Sequence, residues 1–306
     1  MKMKNILIAL SVIFALANSC KKSTDENPPP SNNDTIKEPV EPPPPPVLPD
    51  SLREDNLLMG NPSNAEVNVL MNTNYLVVKP QFTLSYNSPK GGPNWVSWHS
   101  SKGWKGSEPR CNCFNTDYSL PTSFYRTASY DYTGTGYDRG HLCPSDDRDS
   151  TTTDNTTTFL MSNILPQVPN LNQHCWNGLE NYCTSLIENN QYELYIVAGG
   201  YGSGGVDSAG TTYTLANGNV NIPAYCWKVI VVLPSGSNDL SRITTSTRVI
   251  AVIMPNNSNV GTSNTWGQYR VTVNDIETAT GYNFLSSLTA SLQTTLESAV
   301  DTGPTQ

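Results

Sequence analysis

Two stretches of this chain, residues 225–233 and 248–254, are nearly continuous in Val and Ile. Such runs form central strands covered on both faces, since a strand with one wet face alternates apolar and polar residues. Whatever else the chain does, it must lay material on both sides of a sheet. Further strands are predicted at 75–79 and 82–86, either side of Pro80, at 94–99 after the Gly91-Gly92-Pro93 turn, and at 192–198. A long helix is predicted over 170–189, where Trp176, Leu179, Cys183, Leu186 and Ile187 recur at helical spacing. Two shorter helices, 274–280 (stopped by Gly281) and 285–298, follow near the end. The expected class is α+β: a mixed, mostly antiparallel sheet with a long helix and flanking helices packed on it.

The first sixty residues do not fit that scheme. Lys2 and Lys4 precede an apolar run, 6–17, that is too short to span a bilayer as a stable helix. It ends in Leu16-Ala17-Asn18-Ser19-Cys20, small residues before a cysteine. Residues 1–20 are therefore expected to be a lipoprotein-type signal peptide, with Cys20 the lipidated first residue of the mature chain. Residues 21–60 carry Pro28-Pro29-Pro30 and Pro42 through Pro46 with few large apolar side chains, the composition of an extended tether. At roughly 3.1 Å per residue, forty such residues reach about 120 Å from a membrane. Residues 61–306 are long enough for one domain with its own core. The layout implies export, with the domain anchored to an outer membrane and facing the periplasm or the cell surface, or released outside.

Cysteine usage agrees with export. Cys111, Cys113, Cys143, Cys175, Cys183 and Cys226 remain beyond Cys20, enough for up to three disulfides in an oxidising compartment. Charge excludes another class. From residue 61 onward there are 12 Lys and Arg against 18 Asp and Glu. A stable nucleic-acid packaging or repressor role needs a basic surface, so nucleic-acid contact here is expected to be local and transient.

The chemistry concentrates in Tyr137-Asp138-Arg139-Gly140-His141-Leu142-Cys143-Pro144-Ser145-Asp146. The chain has only three histidines, and His141 stands two residues from an arginine. Imidazole takes a proton near neutral pH, and guanidinium grips a phosphate through a planar fork. Together they suit cleavage of a phosphodiester. Downstream, Asn172 lies near the start of the predicted helix, and Glu180 follows eight residues later, about 12 Å along the axis. That separation suits one direct metal ligand plus one carboxylate acting through water, which is how Mg²⁺ is often held.

These segments, with Ser162-Asn163-Ile164-Leu165-Pro166-Gln167, Asn170-Leu171-Asn172-Gln173 and 176–180, resemble the DNA/RNA non-specific endonucleases of the Serratia nuclease type. The likeness extends over most of 75–298. It implies a ββα-metal fold and hydrolysis of DNA and RNA with little sequence preference. It also implies His141 as general base, Arg139 as phosphate support, Asn172 as direct Mg²⁺ ligand (Mn²⁺ a substitute), and Glu180 as the carboxylate that acts through water. Arg110 matches a second substrate-binding and catalytic arginine, although Cys111 and Cys113 alter its surroundings. Where the family carries a basic residue after the glutamate, this chain has Thr184. Asp138 and Gly140 are expected to shape the loop, with Asp138 orienting the loop or a neighbour and taking no part in proton transfer.

Three other readings compete. A catalytically inactive surface binding protein would keep the fold and lose the chemistry. A zinc hydrolase would bring His99, His141 and His174 together, but no HExxH or comparable spacing is present. A sugar-binding surface would use Trp95, Trp98 and Trp104. No protein partner is evident in the sequence.

Overall fold

Alternation along the central strands builds two cores. In residues 225–234, Cys226, Ile230 and Val232 pack on one face, while Trp227, Val229, Val231 and Leu233 pack on the other. The computed structural model describes residues 53–306. The expected signal peptide, Cys20 and the Pro-rich run lie outside the described residues.

Nine strands carry the argument: β1 (Tyr75–Val78), β2 (Thr83–Asn87), β3 (Gly92–Ser100), β4 (Asp138–His141), β5 (Ile164–Gln167), β6 (Tyr192–Tyr201), β7 (Tyr225–Pro234), β8 (Arg248–Pro255) and β9 (Arg270–Val271). Seven form one sheet in the order β1-β2-β3-β6-β7-β8-β9, and every neighbouring pair is antiparallel. β4 and β5 make a separate two-stranded antiparallel ribbon. The helices are α1 (Thr152–Thr158), α2 (Asn177–Asn190), α3 (Asp239–Arg242), α4 (Val273–Thr280) and α5 (Ala290–Glu297). Residues of α4 and α5 contribute to the core on the Trp227 face, and the β4–β5 ribbon and α2 contribute to the core on the Cys226 face. Each large apolar side chain fully buried between these layers contributes about 1.5–3 kcal/mol. The mostly antiparallel α+β architecture expected from the sequence is the one observed.

Three expectations need correction. The tether does not run to residue 60. Arg53 lies over the Trp104 ring at 4.1 Å, the Asn56 amide donates to Pro80 O, and Met59 is buried. Proline spacing stops at Pro49, and Leu57, Leu58 and Met59 supply apolar surface that the second core takes up. The three disulfides reduce to one pair, Cys111 with Cys113, while Cys143, Cys175, Cys183 and Cys226 are free, buried members of the first core. Buried cysteine behaves as a small apolar residue, which composition alone does not separate from a bridged one. Finally, the long helix opens with a π-helical turn, Leu171–Trp176, before α2 begins.

Trp95, Trp98 and Trp104 are all buried, so none forms an exposed sugar-binding platform. Trp98 instead donates its indole N–H to Asp147 Oδ2 at 2.7 Å. Arg148, fully buried, donates to Gln81 O and His99 O and lies 4.0 Å from the Trp104 ring centre. These contacts fasten the loop after β4 to the sheet.

Candidate active site

His141 ends β4, paired with Ile164 across the ribbon, and its ring packs in a three-ring cluster with Phe114 and Phe159 at centroid distances of 5.3 and 4.8 Å, the two phenyl rings themselves 5.0 Å apart. The Trp176 indole donates to His141 O at 3.2 Å, tying the histidine backbone to the π turn. Its Nε2 is buried and has no hydrogen-bond partner among the described residues. Burial, and secondly the nearby Arg110 charge, pushes the His141 imidazole down to about 3. The ring is therefore neutral at working pH, and one of its two nitrogens is an acceptor.

Gly140 is dictated by the ribbon. A Cβ there would overlap the side-chain amide of Gln167, buried beside it. The loop beyond His141 is clamped by Asn163, which accepts from Cys143 N at 3.0 Å and donates to Cys143 O at 2.8 Å. That clamp gives the Ser162–Gln167 segment a structural task, and it accounts for Cys143 as a core residue.

Arg110, Arg139, His141, Pro144, Asn172, Gln173, Asn177 and Glu180 line one polar cavity of about 410 Å³. All five residues predicted to act in the site therefore meet there. Arg139 donates Nε and Nη2 to Ser129 O and lies 5.3 Å from the Phe114 ring centre. Arg110 donates Nη1 to Ser145 Oγ at 2.7 Å and lies 4.9 Å from the Phe159 ring centre. Each guanidinium thus lies over one of the two phenyl rings that pack against the histidine.

The π turn explains how Asn172 and Glu180 share a face. In an α-helix, eight residues leave two side chains about 80° apart around the axis. The wider π turn rotates less per residue and absorbs most of that angle. Asp138 Oδ2 then accepts from Asn172 Nδ2 at 2.9 Å and from Gln173 Nε2 at 2.8 Å. Anchoring the amide nitrogen leaves Asn172 Oδ1 as the end free to ligate. Asp138, expected to orient the loop or a neighbour, holds the side-chain amides of Asn172 and Gln173.

Sequence reading missed Lys228. Its ammonium, buried in β7, pairs with Glu180 Oε1 at 3.0 Å and lies 4.2 Å from the Trp176 ring centre. Burial raises the Glu180 carboxyl, and Lys228 pulls it back. The signal was present, because a lysine inside a buried Val/Ile strand requires an anionic partner. Thr184 donates to Asp146 Oδ2 at 2.9 Å, so it holds the loop rather than substrate.

Compared with known proteins, residues 60–291 match the family described as DNA/RNA non-specific endonuclease. The chain belongs to that family. A nuclease of Nostoc sp. is 45% identical over 245 residues, covering 80% of this chain and 85% of the relative. Nuclease C1 of Cunninghamella echinulata is 32% identical over 223 residues, covering 70% and 83%. A solved structure of the EndoG/EndoGI complex superposes with a TM-score of 0.62 at 23% identity, over 76% of this chain and 91% of that chain, and so shares the fold.

This nuclease is of a metal-dependent family, and its cavity fits a hard cation. Asn172 Oδ1 and the Glu180 carboxylate are oxygen donors, few in number, in a cavity roomy enough for water. A second group, His99, Glu193 and Asp239, has donor atoms within 4.8 Å of one another. There the place of a cation is filled by Arg242, which bridges Glu193 and Asp239. His99 Nδ1 accepts from Glu54 N, which leaves Nε2 as the protonated nitrogen facing Glu193. The histidines are not gathered into a zinc centre: His99 is tied to Glu193, His141 lines the cavity, and His174 does not line it.

Proposed function

We propose that this nuclease is an exported, Mg²⁺-dependent endonuclease that hydrolyses phosphodiester bonds of DNA and RNA with little sequence specificity. The observation that carries the reading is the meeting of His141, Arg110 and Arg139 with the Asn172–Glu180 pair around one polar cavity. His141 accepts a proton from an attacking water, and the phosphate charge brought beside it offsets the Arg110 repulsion that weakens it as a base. Arg139 and Arg110 bear on the negative charge that builds at phosphorus. Asn172 directly, and Glu180 through water, would hold Mg²⁺, with Mn²⁺ a substitute, and a cation held there would supply Lewis-acid neutralisation of the charge that builds during phosphodiester cleavage. Contacts confined to phosphates carry no base information, which accounts for broad specificity.

The full set of these side chains argues against an inactive binding protein. Lys2, Lys4, the apolar run and Cys20 support export and a lipid anchor, with the Pro-rich segment as spacer. Incubating the full chain with DNA and RNA, with and without excess chelator, tests the activity. Cleavage restored by Mg²⁺ is expected, and turnover that persists in EDTA overturns the metal. Detergent partitioning of wild type against Cys20→Ala tests the anchor, with loss of partitioning in the variant expected.

A further inference from the structure

The residues that hold Arg110 are unusual in one respect: one of them lies inside a three-residue disulfide loop. Cys111 and Cys113 are bonded across Asn112, with Cα atoms 5.1 Å apart. Asn112 is held at a φ of 50°, the left-handed region that asparagine tolerates better than other side chains. Its Oδ1 accepts from Arg110 Nε at 2.9 Å. The other side of the loop is fastened to the site as well. Cys111 N donates to Asn155 Oδ1, Asn155 Nδ2 donates to Ser145 O, and Ser145 Oγ accepts from Arg110 Nη1. Arg110 is thus gripped on two edges by one closed frame, while its long side chain lies at an exposed position.

We infer that the Cys111–Cys113 disulfide and Asn112 form a positioning clip for Arg110, so that the redox state of this one bond sets how well the site grips phosphate. The inference rests on the nuclease reading of the cavity. An exposed arginine otherwise loses rotamer freedom each time it engages a substrate. Closing the chain across Asn112 fixes the acceptor in advance, and the guanidinium with it. A small dithiol such as dithiothreitol delivers two electrons and two protons, breaks the S–S bond into two thiols, and leaves as its own cyclic disulfide. Asn112 is then free to abandon the left-handed turn, and Arg110 keeps Ser145 and the Phe159 ring but loses its Nε acceptor. The four other cysteines among the described residues are already free and buried, so they offer no second bond to reduce.

The test compares oxidised and dithiothreitol-reduced full chain, the bond state read by mass after thiol alkylation. A short fluorescent duplex is titrated in EDTA by anisotropy, and cleavage is measured separately with Mg²⁺. Reduction is expected to weaken binding and lower kcat/KM about tenfold, the effect of disordering one charge-assisted contact. The same loss is expected in Cys111→Ser/Cys113→Ser, where dithiothreitol then changes nothing more. Asn112→Gly, which keeps the turn and loses the acceptor, should match the reduced protein, and Asn112→Asp should retain wild-type binding. In Arg110→Ala, reduction should have no further effect. A reduced protein that binds and cleaves within about twofold of the oxidised one refutes the clip, as does a reduction effect that survives in Arg110→Ala. If the oxidised chain binds DNA in a redox-dependent way yet never cleaves, the clip stands and the nuclease reading fails. If it cleaves regardless of redox state, only the clip fails.

Discussion

Lys228→Met should unmask how Glu180 is kept ionised. The substitution preserves length and apolar contact with Trp176 and Trp98, and removes only the ammonium that lies 3.0 Å from Glu180 Oε1. The Lys228 side chain is 2% exposed and that of Glu180 16%, so the abandoned carboxylate has little water to turn to. Breaking a buried pair from one side costs about 3–5 kcal/mol, and the partial exposure of Glu180 places this case near 3. For a domain of this size that is a Tm lower by roughly 6–12 °C. The sign of the pH dependence is fixed. Burial already holds the Glu180 carboxyl above its ordinary 4.5, and Lys228 opposes that rise. Without Lys228 the folded-state value climbs further, so the folded protein binds a proton that the unfolded chain gives up above 4.5. The stability deficit of the variant therefore grows as pH rises from about 5 to 8, by about 1 kcal/mol or more. Urea unfolding at both pH values checks this, beside Glu180→Gln and the double variant. Coupling of more than about 1 kcal/mol between the two positions is expected. Additive losses, or a deficit that shrinks with rising pH, would show that Lys228 does not hold Glu180 as an ion.

The cavity and the ribbon that carries His141 yield four shorter predictions. Asp138→Ala frees the Asn172 amide to turn, and should raise the Mg²⁺ concentration for half-maximal cleavage about tenfold or more with little change in Tm; an unchanged Mg²⁺ titration would count against the orienting role. His141→Ala should lower kcat at least about 100-fold at unchanged fold, measured on plasmid DNA. Because burial pushes the His141 imidazole down to about 3, the acid limb of kcat/KM should fall below the ordinary 6.5, and a limb at or above 6.5 would contradict the environment described for the ring. Gly140→Ala should destabilise by about 1–3 kcal/mol through overlap with Gln167, read by urea unfolding; Gly140→Ala with Gln167→Ala should recover most of it.

The sequence made the sheet legible because its signals are local. Val and Ile runs marked the central strands, and the spacing of Trp176, Leu179, Cys183, Leu186 and Ile187 marked α2, so the frame that carries the site could be drawn in advance. The core of the candidate site was legible for another reason: His141 and Arg139 lie two positions apart, and no folding is needed to bring them together. What escaped was long-range. Lys228 is 48 residues from Glu180, and Asp138 is 34 from Asn172, so neither pairing has a sequence spacing to betray it. The π turn escaped because a side-chain pattern does not distinguish one i→i+5 turn from the start of an α-helix. Cysteines were misread for a related reason, since an even number in a chain expected to be exported suggests pairing, whereas Cys143, Cys175, Cys183 and Cys226 serve as apolar filling. One inference separates the two kinds of residue in general terms. A charged residue inside an apolar strand cannot be satisfied locally, so its presence alone states that an opposite charge exists elsewhere. Lys228 stated this within residues 225–233, and among the site carboxylates Glu180 is the one the fold delivers to it. The most informative position in that run was the one that broke its pattern.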